Sequence, residues 1–301
     1  MAKSQRKRMF DPSELARFGS LGFVARRVVE GFLTGVHRSP FKGFSIEFAE
    51  HRQYYPGDEI RRIDWRAFGK TDRYFVKEYE DETNLKAILV VDASGSMGYA
   101  GLKKNAISKF RYAQQVAASL AYLLLGQLDA VGLLTHDAAP RQFVPPQASR
   151  KQLFHILRQL EATETGGETS LGATWDRIAS QHLKRRGLVI LISDGLDQLE
   201  PLQRALRHLH HARHDVMLFQ ILTPEELEFP FENPAKFRSL ETAGHEVIVD
   251  ARRLREEYLK NFEEHRRSLR RSLSDLHFDY TLLRTDEPVD RALGAYLARR
   301  S

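Results

Sequence analysis

Asp92, Ser94 and Ser96 place one carboxylate and two hydroxyls at alternate positions directly after the apolar run Ala87-Ile88-Leu89-Val90-Val91. Oxygen donors at that spacing suit a hard divalent cation. The chain has no Cys, which excludes a thiolate zinc site. Two further loops have the composition to complete a cation site. In the first, Thr165-Gly166-Gly167-Glu168-Thr169-Ser170, Thr169 is the third hydroxyl and Ser170 its nearest rival. In the second, Ser193-Asp194-Gly195 ends another apolar run, Leu188-Val189-Ile190-Leu191-Ile192, on a carboxylate and a glycine.

Neither apolar run alternates, which is the pattern of a strand buried on both faces in the middle of a parallel sheet. In open α/β sheets ligands gather outside the carboxyl ends of the strands, where Asp92 and Asp194 fall. If Ser94, Ser96 and Thr169 bind directly and Asp92 and Asp194 bind through water, the ion keeps little negative charge around it. Such an ion stays electrophilic and attracts an outside carboxylate. The expected ion is Mg²⁺, with Mn²⁺ or Ca²⁺ as alternatives, and the expected ligand is an Asp or Glu of a protein partner.

Asp92-Ala93-Ser94-Gly95-Ser96-Met97, Gly167-Glu168-Thr169 and Ser193-Asp194-Gly195 resemble the metal-ion-dependent adhesion site of von Willebrand factor A domains, in that family's order. Upstream, the 35–48 segment (Gly35-Val36-His37-Arg38-Ser39-Pro40 and onward) and Tyr55-Pro56-Gly57-Asp58-Glu59-Ile60-Arg61-Arg62-Ile63-Asp64-Trp65 are similar to a bacterial family of unknown function, domain-of-unknown-function family fifty-eight. Its members carry such a domain behind this preamble. The resemblance runs from about residue 31 into the C-terminal region. It implies a von Willebrand factor A-like fold, a cation held by Asp92, Ser94, Ser96, Thr169 and Asp194, and a MoxR-type AAA+ ATPase as partner in assembling or maturing client proteins.

At 301 residues with 42% hydrophobic content, the chain is long enough for one large domain or two modest ones with a real core. Lys and Arg number 46 against 40 Asp and Glu, leaving a mild +6 concentrated partly in Lys3, Arg6, Lys7, Arg8, Arg299 and Arg300. No aromatic-interleaved basic motif accompanies that excess, which argues against nucleic-acid binding. Leu21-Gly22-Phe23-Val24-Ala25 is too short for a secretory core and meets Arg26-Arg27 at once. No segment approaches the roughly 18 apolar residues of a membrane span. The expectation is a cytoplasmic protein.

The division expected is 1–84, an N-terminal helical and β extension, and 85–301, a doubly wound, mostly parallel α/β sheet flanked by helices. Leu15, Phe18, Phe23, Val28 and Val29 favour one or two helices after Asp11-Pro12-Ser13-Glu14. Residues 44–55 and 73–79 read as extended structure outside the main sheet, with Ile46, Phe48, Phe75 and Tyr79 inward and Trp65 an anchor. Helical spacing over 106–128, 153–160, 171–178 and 202–209 alternates with strands at 87–91, 131–134, 188–192 and 216–222, the rhythm of a doubly wound sheet. A short edge strand is expected at 141–144, before Pro145-Pro146. A strand at 247–249, a charged helix over 254–276, a strand at 278–283 and a helix over 289–298 follow.

Other constellations carry less. Gly69-Lys70-Thr71 resembles the end of a phosphate loop, but Asp64 stands where the opening glycine belongs. Ser94 and Ser96 lack a nucleophile elbow and identifiable His and acid partners. Of His208, His210, His211 and His214 only some share a helix face, and no His-Glu-x-x-His appears, so they read as surface polar groups. Asp58, Glu59 and Asp64 read as internal ion pairs with Arg61 and Arg62. The leading expectation is a non-enzymatic, metal-dependent interaction module; the rival is a Mg²⁺-dependent phosphoryl hydrolase using Asp92 and Asp194.

Overall fold

A computed structural model describes residues 19–33, 47–54, 65, 68–69, 74–80, 85–167, 170–183, 186–241, 244 and 246–300. Leu21, Ala25, Val28 and Val29 recur on one face at helical spacing and are buried, which makes α1 (Gly19–Leu33) an amphipathic helix. The strands β1 (Glu47–Gln53) and β2 (Phe75–Glu80) pair antiparallel, Phe48 opposite Tyr79 and Gln53 opposite Phe75, with a register shift between Phe48 and Glu50. They form a two-stranded sheet of their own, outside the main sheet as the partial alternation predicted.

The main sheet begins with β3 (Lys86–Asp92), followed by a 3-10 turn (Gly95–Gly98), α2 (Lys109–Gly126), β4 (Ala130–His136) and β5 (Pro140–Gln147). Helices α3 (Arg150–Ala162) and α4 (Leu171–Gln181) lead to β6 (Leu188–Ser193), α5 (Leu199–His211), β7 (Asp215–Leu222) and α6 (Pro224–Glu228). The chain continues through β8 (Pro234–Arg238), β9 (Glu246–Asp250), α7 (Ala251–Asp275), β10 (Asp279–Arg284) and α8 (Val289–Arg300). The sheet order is β10-β7-β6-β3-β4-β5, with every neighbouring pair parallel except β4–β5. This is the doubly wound, mostly parallel α/β fold expected. β3 connects to β4 on one side and lies beside β6 on the other, so the strand order reverses between β3 and β6.

Side chains alternate across β3, so both faces can be filled. Ile88 and Val90 join Trp175 and Ile178 of α4, Leu202 and Leu206 of α5, and Leu269 and Leu273 of α7 in one apolar cluster. Ala87, Leu89 and Val91 take the opposite parity and are equally buried. On α2, Val116, Ala117, Leu120 and Leu124 are buried, and this helix packs on β3, β4 and α1.

α1 falls in the same compact unit as residues 86–301, whereas 41–85 form the second unit. The apolar stripe of α1 is covered by α2 and α8. The structure departs from the sequence reading in three places. β5 runs through Pro145 and Pro146 instead of stopping at Val144; the ladder is irregular there, Leu133 pairing with Val144 and Val131 with Gln147, so the two prolines fall at a bulge on an edge strand. α6 and β8 were not anticipated, Pro224, Pro230 and Pro234 having obscured them. The signal for α6 was present: Thr223 and Glu226 form a reciprocal capping box. Finally, His214 is not a surface group but is buried, its Nε2 3.1 Å from the Leu183 carbonyl oxygen.

The other histidines also go separate ways, His208 to Asp176 at 2.7 Å and His210 edge-on to Phe278. In the 41–85 unit Trp65 stands edge-on to Phe68 and Tyr74, which stack on each other with centroids 4.5 Å apart. Ile46, the side chains of Phe48, Phe75 and Tyr79, residues 1–18, the Asp58, Glu59, Arg61, Arg62 and Asp64 group, and Lys70-Thr71 lie outside the described residues.

Candidate metal centre

Asp92 is the last residue of β3 and fully buried. Its Oδ1 accepts the Ser94 backbone N–H at 2.9 Å and its Oδ2 accepts the Ser193 hydroxyl at 2.7 Å. The first bond curls the chain into a turn that presents the hydroxyls at 94 and 96; the second ties the ends of β3 and β6 together. Ser193 Oγ also accepts the Gly195 N–H at 3.0 Å. Gly195 adopts a left-handed φ of 66° that favours glycine, which turns the chain sharply after Asp194.

Ser94 Oγ lies 3.2 Å from Ser96 Oγ, and Ser96 Oγ donates to Asp194 Oδ2 at 2.8 Å. Ser96 Oγ therefore joins oxygens from two loops, Ser94 Oγ of its own and Asp194 Oδ2 from 98 residues away in sequence. Neighbouring ligand oxygens in an octahedron with Mg–O distances of about 2.0–2.1 Å stand roughly 2.9 Å apart. The Ser94–Ser96 hydroxyl separation is of that order, so this pair fits neighbouring positions around a small hard cation. Among the described residues no three His, Asp or Glu side chains cluster as a metal site; the centre consists of two carboxylates supplemented by hydroxyls.

Of the five expected ligands the structure brings together Asp92, Ser94, Ser96 and Asp194. Thr169 lies outside the described residues, as does Glu168. Their loop is nevertheless fixed at both ends beside the others. Gly95 N–H donates to the Gly167 carbonyl at 3.1 Å and Gly166 N–H to the Ala93 carbonyl at 3.0 Å. Leu171 N–H, at the start of α4, donates to Asp197 Oδ2 at 2.7 Å. Arg141 of β5 clamps the same loop through the carbonyls of Glu164 and Gly166 at 2.7 and 2.8 Å, while its Nε donates to Asp137 at 2.8 Å.

Sequence reasoning missed Lys109. It is the first residue of α2, and its side chain is 1% exposed. Its ammonium donates to Asp194 Oδ2 at 2.7 Å and to Glu226 Oε1 of α6 at 2.5 Å. Only its position near the N-cap Ser108 was legible; nothing local announces that a lysine will turn inward. The two carboxylates consequently differ. Burial pushes the Asp92 carboxyl up, and the charge of Asp194 adds to that, against His136 and the hydrogen bonds from Ser193 and Ser94. Burial would raise Asp194 as well, but the Lys109 ammonium outweighs it and holds the carboxyl below its ordinary range. Burial would in turn lower Lys109, yet Asp194 and Glu226 keep it above the usual lysine range. Asp194 is thus a firmly anionic group already holding an internal cation, and Asp92 is the less compensated charge.

The chain is similar to several proteins of known sequence or structure. An uncharacterized protein of Mycobacterium tuberculosis is 27% identical over 280 residues, covering 92% of this chain and 86% of its own length. An uncharacterized protein of Mycobacterium avium is 29% identical over 147 residues, 48% of this chain and 85% of that one. Among solved structures, the conserved hypothetical protein BatB from Bacteroides thetaiotaomicron is similar with a TM-score of 0.47 at 14% identity, over 72% of this chain and 98% of that one. A von Willebrand factor type A structure from Catenulispora acidiphila gives a TM-score of 0.38 at 14% identity, over 72% of this chain and 42% of that one. The model of the family described as protein of unknown function DUF58 matches residues 50–268, and the chain belongs to that family.

Proposed function

We propose that this chain is a non-catalytic protein–protein interaction module whose hydroxyl–carboxylate centre holds a divalent cation, Mg²⁺ foremost, that an Asp or Glu of a partner completes. The observation that carries this reading is that Ser96 Oγ contacts both Ser94 Oγ, at 3.2 Å, and Asp194 Oδ2, at 2.8 Å, with Asp92 anchoring the same turn. When bound, the ion supplies positive charge to an incoming carboxylate. Ser94, Ser96, Asp92 and Asp194 would hold it, and Thr169 belongs to the same proposed set by sequence.

Each of these residues has a separate task. The Ser96 proton points to Asp194, so the hydroxyl lone pairs remain for a cation. Lys109 neutralises Asp194, so a cation at the centre would face little compensating charge beyond Asp92. That combination favours an outside carboxylate over a closed shell of the protein's own acids. The family resemblance supports a MoxR-type AAA+ ATPase as the partner and assembly or maturation of client proteins as the setting. The cytoplasm is the compartment proposed; among the described residues no helix is long and apolar enough to cross a membrane.

The test is affinity capture from the native cell with the full chain as bait, in Mg²⁺ and again in chelator. The expected result is an AAA+ ATPase retained in Mg²⁺, released by chelator, and not retained by the Ser94→Ala/Ser96→Ala variant. Retention that ignores both chelator and substitution would overturn the metal-dependent reading.

A further inference from the structure

The centre opens into a pocket of about 660 Å³, which Ser96 and Lys109 line together with α6, the β8–β9 hairpin and the first turns of α7. That volume is in the range of sites that hold a small ligand or a side chain. One wall is aromatic. Phe229, held in a left-handed conformation by the end of α6, stacks parallel to Phe237 of β8 at 5.9 Å and tilts against Tyr258 of α7 at 4.6 Å. The hairpin reaches directly over the cation turn, and a Cβ on residue 95 would lie 2.2 Å from the Leu240 carbonyl oxygen. Leu240 itself lines the pocket and is 51% exposed.

Lys109, Lys236 and Arg238 stand against Glu225, Glu226 and Glu241 in the lining. Lys109 is shared between Glu226 and Asp194, and Lys236 and Arg238 both pair with Glu246, so carboxylates outnumber cations around the pocket. A divalent cation on Ser96 supplies the positive charge that makes the inner end anion-seeking. The aromatic wall and Leu240 make the remainder apolar.

Resting on the cation-holding reading above, we infer that the pocket is a composite docking site for an extended partner segment in which an Asp or Glu neighbours a large apolar side chain. The acid faces the cation at Ser96 and the apolar group lies between Leu240 and the Phe237–Tyr258 wall. The β8–β9 hairpin is then the element that sets partner choice, and the centre supplies the anchor.

Small probes separate the two halves. The full chain in Mg²⁺ is titrated with propanoate, 3-phenylpropanoate and the uncharged 3-phenylpropanamide by calorimetry or ligand-observed NMR. Burial of a phenyl group predicts that 3-phenylpropanoate binds about tenfold more tightly than propanoate. The amide binds at least about tenfold more weakly than 3-phenylpropanoate, and chelator removes the difference between them. Leu240→Ser, at an exposed position, and Phe237→Ala both reduce the phenyl advantage, read as the ratio of 3-phenylpropanoate to propanoate affinity. No phenyl advantage, with propanoate binding still Mg²⁺-dependent, would overturn the composite site and leave the centre intact. Amide and acid binding equally would overturn it by showing an apolar pocket indifferent to the ion. No Mg²⁺-dependent binding of either carboxylate would overturn the reading of the centre itself.

Discussion

The ammonium of Lys109 and the hydroxyl of Ser96 meet on a single oxygen, Asp194 Oδ2, at 2.7 and 2.8 Å. Lys109 occupies the first position of a helix, where the macrodipole disfavours a cation, and it is buried, where desolvation disfavours one again. Asp194 on one side and Glu226 on the other offset both costs. The residue therefore links three elements, the turn after β3, the end of β6 and the start of α6, through one charge.

Removing that charge leaves two acids facing each other with Asp194 wholly buried. Lys109→Met is expected to destabilise the fold by about 3–5 kcal/mol, read as a lower urea midpoint. Lys109→Met with Asp194→Asn should cost less than the sum of the single changes, since the orphaned charge disappears. Strict additivity would show that the pair is not coupled.

Mg²⁺ is expected to raise the melting temperature of the wild-type chain, by about 2.7 kcal/mol of added stability at an ion concentration 100 times the dissociation constant. The Ser94→Ala/Ser96→Ala chain should show no such rise. Equal rises in both chains would remove these hydroxyls from the ligand set.

Gly95→Ala probes the approach of the hairpin to the turn. The new methyl group meets backbone at Leu240 and Gly167, neither of which can swing away as a side chain would. The expected outcome is faster amide exchange around 236–241 and 246–250 while β3 and β6 keep their protection. Unchanged exchange in the hairpin would mean that it does not rest on the turn.

Trp175 of α4 is buried at 1% exposure in the apolar cluster on the sheet, its Nε1–H donating to His136 Nε2 at 3.3 Å. Trp175→Ala should cost about 3–5 kcal/mol through the cavity it leaves. Trp175→Phe should cost less, and the difference between the two, measured by denaturant unfolding, separates packing from the lost hydrogen bond.

If the module is non-catalytic, generic phosphate esters release no phosphate above background with Mg²⁺ present. Metal-dependent turnover abolished by Asp92→Ala would instead establish the hydrolase alternative.

What the chain determined by itself were the properties that depend on near neighbours. The unbroken apolar runs 87–91 and 188–192 had to be central strands, because no half-exposed strand carries five apolar residues in a row. Asp92, Ser94, Ser96 and Asp194 had to end those strands, and the open sheet had to gather them at one edge. The apolar stripe of α1 was legible as well, although not which surface would cover it.

Contacts between distant segments were decided only by the tertiary structure. Lys109 is an ordinary helix-start lysine until α6 brings Glu226 against it from 117 residues away. The strand at 247–249 was legible, but the stretch that forms β8 looked like proline-broken loop, and nothing local announced that Leu240 would settle over Gly95. Short-range patterns encode which backbone conformation is cheap, whereas the partner of a buried charge or the cover of a turn depends on where the whole sheet places its loops.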